Sequence, residues 1–134
     1  MKSQLRGSTR SYPIVGMHFR HQHGVPAKAL VARLQMGTRL TVQAEPTNQF
    51  DPNAIMVLLR GDDIPEDCLE DLAFEAEPYG FTLDDCRQDT MHIGYIPKEL
   101  AAILRERGVV PDEGEIEAEF AFGPRGRPLV CLEE

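Results

Sequence analysis

Residues 114–123, GEIEAEFAFG, alternate strictly, with Ile116, Ala118, Phe120 and Phe122 on one side and Glu115, Glu117 and Glu119 on the other. A period of two is that of a strand with one face on a core and the other, here a glutamate row, in solvent. GPRG then turns the chain and RPLVCLE returns it, which predicts a terminal hairpin. TRLTVQAEP (38–46) alternates as well, with Leu40 and Val42 opposed to Thr41 and Gln43. NAIMVLL (53–59) is a continuous apolar run, the mark of a buried strand. YPIVGMHF (12–19) and MHIGYIP (91–97) read as two more strands, Gly16 marking a bulge or a close approach. The pattern changes to a helical one twice. PKELAAILRERG (97–108) starts at Pro97, carries Leu100, Ile103 and Leu104 as its apolar side and stops at Gly108. PAKALVARLQMG (26–37) sets Leu30, Val31 and Leu34 on one face and ends at Gly37. Six short strands, two helices and no βαβ rhythm predict a mainly β fold, a small antiparallel barrel.

Residues 61–89 break this rhythm. They hold carboxylates, prolines and scattered apolar residues, and PEDCLEDLAFEA within them could form one helix with Leu69, Leu72, Ala73 and Ala76 on a face. They read as an acidic insertion, partly helical, in a single domain spanning 1–134. The whole chain of 134 residues is 42% hydrophobic, enough for one core. No apolar run approaches the roughly 18 residues of a membrane span, and MKSQLRGSTRSYP lacks the apolar stretch of a secretory signal, so a cytoplasmic protein is expected. Three cysteines without C-x-x-C spacing argue against a disulfide framework or a zinc ribbon.

Charge changes the picture more than composition does. The net charge of −8 speaks against a nucleic-acid partner until it is mapped. Residues 1–60 set eight basic residues against Glu45 and Asp51, a net +6. Residues 61–89 set eleven carboxylates against Arg87, a net −10, and residues 90–134 carry −4. With a Debye length of about 8 Å at physiological salt, the basic first half acts on its own surroundings.

Candidate chemistry concentrates in EPTNQFDPNAIMVLL (45–59), where a proline-bracketed turn presents Asn48, Phe50 and Asp51 before an apolar strand. Asp51 before Pro52 is a common turn former, and Asn53 suits the turn backbone. The same carboxylate is also an apt acceptor for a ligand hydroxyl, and Phe50 offers a face for stacking. His18, His21 and His23 in HFRHQH tempt a metal reading, but no fourth ligand follows at convincing spacing; a solvated turn is favoured and no metal or cofactor is expected. There is no G-x-S-x-G, no phosphate-cradling glycine loop and no placeable Cys–His pair, so an enzyme is not expected.

Three stretches in order carry a resemblance: the Val-Gly strand that leads into His18 and Phe19 (15–19), EPTNQFDPNAIMV (45–57) and HIGYIPKELA (92–101). Together they resemble the HIRAN domain, a module found at the N-terminus of some helicase-like DNA-repair proteins and as a stand-alone protein in bacteria and phages. The resemblance covers nearly everything outside the acidic insertion. It implies an OB-like six-stranded barrel that binds single-stranded DNA and recognises its free 3′ end without catalysis, in DNA repair or processing. Carried over position by position, it implies DNA contacts at His18, Phe19, Asn48, Phe50, Asp51, Tyr95 and Lys98. His18 stands where many members have arginine, and Phe50 where tyrosine is frequent. With no motor in the chain, a helicase or nuclease partner is expected to supply one. The rival expectation is a protein-interaction adaptor working through the acidic 61–89 segment.

Overall fold

The computed structural model describes residues 9–17, 30–64, 74, 77–79, 87–88 and 90–133. Six strands run through them: β1 (Thr9–Pro13), β2 (Arg39–Ala44), β3 (Ile55–Arg60), β4 (Thr90–Tyr95), β5 (Glu115–Phe122) and β6 (Pro128–Glu133). All pair antiparallel in one sheet of order β1-β6-β5-β2-β3-β4. One complete helix, α1 (Lys98–Glu106), lies among the described residues, with 3-10 turns at Gly61–Asp63, Glu77–Tyr79 and Pro124–Gly126.

The mainly β, six-stranded antiparallel expectation holds, and two of its details change. The sheet is open, with β1 and β4 as its edges, so the pairing does not establish a barrel. Among the described residues, one further link joins the edges: Val15 and Tyr95 each donate their N–H to the other's carbonyl, both at 2.8 Å. The reading of 12–19 as one strand is corrected accordingly. β1 starts earlier, at Thr9, and ends at Pro13, which has no N–H to continue a ladder. Gly16, at φ 72°, then turns the chain out of extended conformation. The second helix is also reduced. Leu30 and Val31 are helical and turns follow them, while 26–29 fall outside the described residues. The acidic helix read over PEDCLEDLAFEA lies almost wholly outside them as well.

One face of the sheet builds the core. Leu40 and Val42 from β2, Ile55, Val57 and Leu59 from β3, Met91 and Ile93 from β4, Phe120 from β5 and Val130 and Leu132 from β6 are all buried. Ala101 and Leu104 of α1 and Val110 after it pack against this face, joined by Leu30, Val31 and Leu34. Ile103, read as part of the apolar side of α1, is instead 49% exposed. Ala101 and Leu104, three residues apart, define the buried stripe, and Ile103 stands about 200° round the helix from Ala101. Arg105 ties the following loop down, donating to the Val110 carbonyl at 2.9 Å and pairing with Asp112.

The opposite face holds the glutamate row, with one correction: Glu115 and Glu117 are exposed, but Glu119 is only 8% accessible. It sits in the interior of the sheet, flanked in register by Arg39 of β2 and Cys131 of β6. Phe122, read as inward, is 40% exposed because β5 ends with it and the hairpin tip begins.

β3 and β4 slip out of simple register. Val57 pairs with Gly94 but Leu58 pairs with His92, so Ile93 is an extra residue opposite neither. This bulge changes the phase of β4: residues 92 and 95, three apart, would face opposite sides of a regular strand. Here they lie opposite Leu58 and Met56 and share the outer face. Gly94 faces inward at the same point, and no side chain fits there. A Cβ on it would stand 2.5 Å from Ile14 Cγ2 and 2.8 Å from the Val15 carbonyl oxygen. Gly94→Ala is therefore expected to cost about 3 kcal/mol or more, since neither β1's tail nor β4 can move without breaking the Val15–Tyr95 bridge. Chemical denaturation checks this; a loss within 1 kcal/mol of wild type, roughly the backbone effect of a glycine alone, would contradict the packing.

Candidate functional site

The turn between β2 and β3 is built from its own side chains. Asn48 is its centre. Its Oδ1 accepts the N–H groups of Phe50 at 2.9 Å and Asp51 at 3.0 Å, and its Nδ2 donates to Glu45 Oε1 at 2.6 Å. Asp51 then accepts the Asn53 N–H on Oδ1 at 2.9 Å, and the Asp51 carbonyl accepts the Ala54 N–H at 3.1 Å. Asx geometry of this kind is what Asn and Asp do best, and it replaces the ladder bonds that the chain gives up between the strands. The Glu45 N–H donates to the Ala54 carbonyl at 2.9 Å and closes the turn at its base.

Phe50 is carried on the outside of this frame at 88% exposure, so it is not a core aromatic. Asp51 beside it is half-buried. Its second carboxylate oxygen has no partner among the described residues.

β4 supplies the neighbouring wall. Tyr95 donates its hydroxyl to Glu45 Oε1 at 3.0 Å, the same oxygen that holds Asn48. Glu45 thus ties the turn to the sheet edge. Burial raises the Tyr95 phenol above its usual value, and the hydrogen bond to Glu45 and the charge of that carboxylate raise it further, against an opposing bond from Asn48. The phenol therefore keeps its proton at neutral pH and keeps it on Glu45. The bulge sets His92 edge-on to the Tyr95 ring, centroids 4.6 Å apart, with Nε2 3.0 Å from the Gly94 carbonyl. Burial lowers the His92 pKa, partly offset by that carbonyl and by Glu45. Regular alternation would place Ile93 and Tyr95 on the same inward face; the bulge separates the two residues and turns Tyr95 outward.

Lys98 stands exposed at the first position of α1, just after Pro97. His18 and Phe19 lie outside the described residues, as do His21, His23, Cys68 and Cys86. The structure thus brings Asn48, Asp51 and Tyr95 into one network through Glu45 and sets Phe50 at its margin. Glu45 and His92 are the members that sequence reasoning passed over. The signal for Glu45 was its place directly before Pro46, at the mouth of the turn. Among the described residues, no group of three His, Cys, Asp or Glu side chains is arranged to hold a metal ion.

A family model for the HIRAN domain matches residues 8–119. The chain belongs to the HIRAN domain family. The matched segment contains the turn, β4 and the start of α1, so the Glu45 network is part of the HIRAN region of the chain. Membership points to DNA binding. No curated protein and no solved structure matches the chain significantly. No helix among the described residues is long and apolar enough to cross a membrane.

Two outcomes follow from the network. Glu45→Ala leaves the Asn48 amide and the Tyr95 hydroxyl without their shared acceptor and is expected to cost about 1–2 kcal/mol, with most of that loss absent in a Tyr95→Phe, Asn48→Ala background. Denaturant midpoints of the set measure the coupling. For His92 the folded state favours the neutral ring, so its contribution is complete above the usual value near 6.5 and is lost as pH falls below it. Between pH 7 and pH 5 the wild type is expected to lose stability relative to His92→Gln; parallel curves for the two proteins would contradict the assignment.

Proposed function

We propose that this HIRAN domain is a non-catalytic module that binds single-stranded DNA at a free 3′-hydroxyl end. One observation carries the reading: a fully presented phenylalanine sits next to a carboxylate on a turn that is fixed from within. Phe50 supplies a stacking face for the terminal base or sugar, an interaction worth about 1–3 kcal/mol per base in comparable sites. Its neighbour Asp51 has an oxygen to spare, since only Oδ1 is used by the turn.

The polarity of the site supports the choice of end. Tyr95 points its hydroxyl hydrogen at Glu45, so its oxygen meets a ligand only as an acceptor. Asp51 is an acceptor too. A group that enters between them must donate, which a 3′-hydroxyl does and a phosphate dianion does not. An internal nucleotide or a 3′-phosphate brings negative charge against Asp51 and is rejected. Lys98, at the positive end of α1, answers the phosphate on the 5′ side of that nucleotide. His18 and Phe19 complete the pocket in this reading. Such a module works in DNA repair or processing inside the cell, where a helicase or nuclease partner supplies the motor or the cut.

Asp51→Asn tests the charge without dismantling the turn, because the amide oxygen still accepts the Asn53 N–H. Fluorescence anisotropy with a short labelled strand is expected to show a Kd about tenfold weaker, close to 1.4 kcal/mol. Wild type is expected to lose affinity by a similar factor when the same strand ends in a 3′-phosphate, and the variant to lose most of that preference. Equal binding of the two ends by wild type would overturn the proposal.

A further inference from the structure

Most cations among the described residues are engaged elsewhere. Arg60 pairs with Glu115, and Arg105 with Asp112 and the Val110 carbonyl. The tip between β5 and β6 is different. Arg125 and Arg127 stand exposed on it, and the surrounding stretch 120–132, FAFGPRGRPLVCL, contains no carboxylate. On a chain of net charge −8 this is a local excess of positive charge.

The tip is also held in a set shape. The Gly123 N–H donates to the Arg127 carbonyl at 2.7 Å, and the Gly126 N–H to the Gly123 carbonyl at 3.1 Å. Arg125 sits between them at φ 62°, ψ 25°, the one non-glycine residue with positive φ among the described residues. Two consecutive residues of the tip are left-handed, and while Gly126 at φ 74° is a glycine, the first of them is an arginine. A disfavoured backbone conformation kept for a long cationic side chain argues that the side chain has a use.

Backbone pairing fixes where the tip lies. Pro128, next to Arg127, accepts the Ile14 N–H at 3.1 Å. Val15, next to Ile14, forms the bridge with Tyr95. Two lateral steps of about 5 Å each therefore separate the base of the tip from Tyr95. A strand leaving Tyr95 in the other direction, across the outer sheet face, would pass Glu115 and Glu117. These line a cavity of about 200 Å³ with Asp63, Thr41, Arg39 and Arg60, where carboxylates outnumber arginines.

We propose that Arg125 and Arg127 form a clamp for the phosphodiester backbone of single-stranded DNA, a few nucleotides 5′ of the end held at Asp51 and Tyr95. The clamp rests on the end-binding reading above but uses different residues, and it lies beyond the segment 8–119 that matches the family. It sets the direction in which the strand leaves the pocket and adds affinity without reading sequence or the end group.

Arg125→Gly gives a test in which stability and binding move oppositely. Glycine suits the left-handed position, so the melting temperature is expected to rise. Affinity for a 3′-hydroxyl strand of about ten nucleotides is expected to fall several-fold at low salt, and the slope of log Kd against log salt to shrink by roughly 0.7, the value for one lost phosphate contact on a single strand. Arg127→Gln should reduce the slope similarly. A dinucleotide with a 3′-hydroxyl, too short to reach the tip, should bind wild type and both variants alike. The preference for 3′-hydroxyl over 3′-phosphate should be unchanged in both. Unaltered affinity and salt slope on the long strand, in variants that keep the end preference, would overturn the clamp and leave the end pocket standing. A wild type without end preference would overturn the pocket, and with it the position given to the clamp.

Discussion

Gly94 is the point at which the tail of β1 crosses β4, and the separation there is too small for a side chain. Ile14 Cγ2 and the Val15 carbonyl occupy the space that a Cβ would need. Because the two backbones touch, Val15 can exchange both hydrogen bonds with Tyr95 and join the two edges of an otherwise open sheet. The network of the β2–β3 turn hangs on that contact. Tyr95 is fixed at its backbone by the bridge and at its hydroxyl by Glu45. Glu45 holds Asn48, and Asn48 holds the N–H groups of Phe50 and Asp51. On the far side, Ile14 binds the Pro128 carbonyl and so anchors the β5–β6 tip.

The division of labour within the turn follows from hydrogen-bond arithmetic. Asn48 has both kinds of polar atom and spends all of them on structure, which leaves it little to offer a ligand. Phe50 and Asp51 spend almost nothing: one is nearly bare, and the other uses a single carboxylate oxygen. A rigid frame that withholds two side chains from its own interior leaves its backbone little conformational entropy to lose in any contact made there. The outer face of β5 carries Glu115 and Glu117 at its start, whereas residues 120–132 around the basic tip carry no carboxylate.

Much of this was legible in the residues. Strict alternation in 114–123 and 38–46, and the apolar run 53–59, located β5, β2 and β3 to within two residues. The Asn-x-Phe-Asp-Pro-Asn turn announced itself because Asn and Asp have few other reasons to cluster between two prolines. Other features depend on partners distant in sequence. Glu45 is an unremarked acid before a proline until β4 lies beside it, fifty residues on. Glu119 looked like a solvent residue because alternation reports which face a side chain takes, not whether that part of the face is covered. Ile103 was placed inward by composition, when the stripe on α1 is set by Ala101 and Leu104. β1 began earlier than its apolar residues suggested, since its first residues, Thr9 to Ser11, are exposed and held by pairing with β6.

The extra residue at Ile93 carries a consequence of its own. A strand is a two-beat rhythm, and one added beat inverts everything downstream. Upstream of Ile93, β4 is in step with a core; downstream, Tyr95 is in step with the outside world, and the chain reaches Lys98 from that altered phase. The face that Tyr95 takes is therefore set by register as much as by identity. A regular ladder through the same residues, without the bulge, would set Tyr95 opposite Ile55 and turn it inward. Register in β4 thus matters as much as sequence.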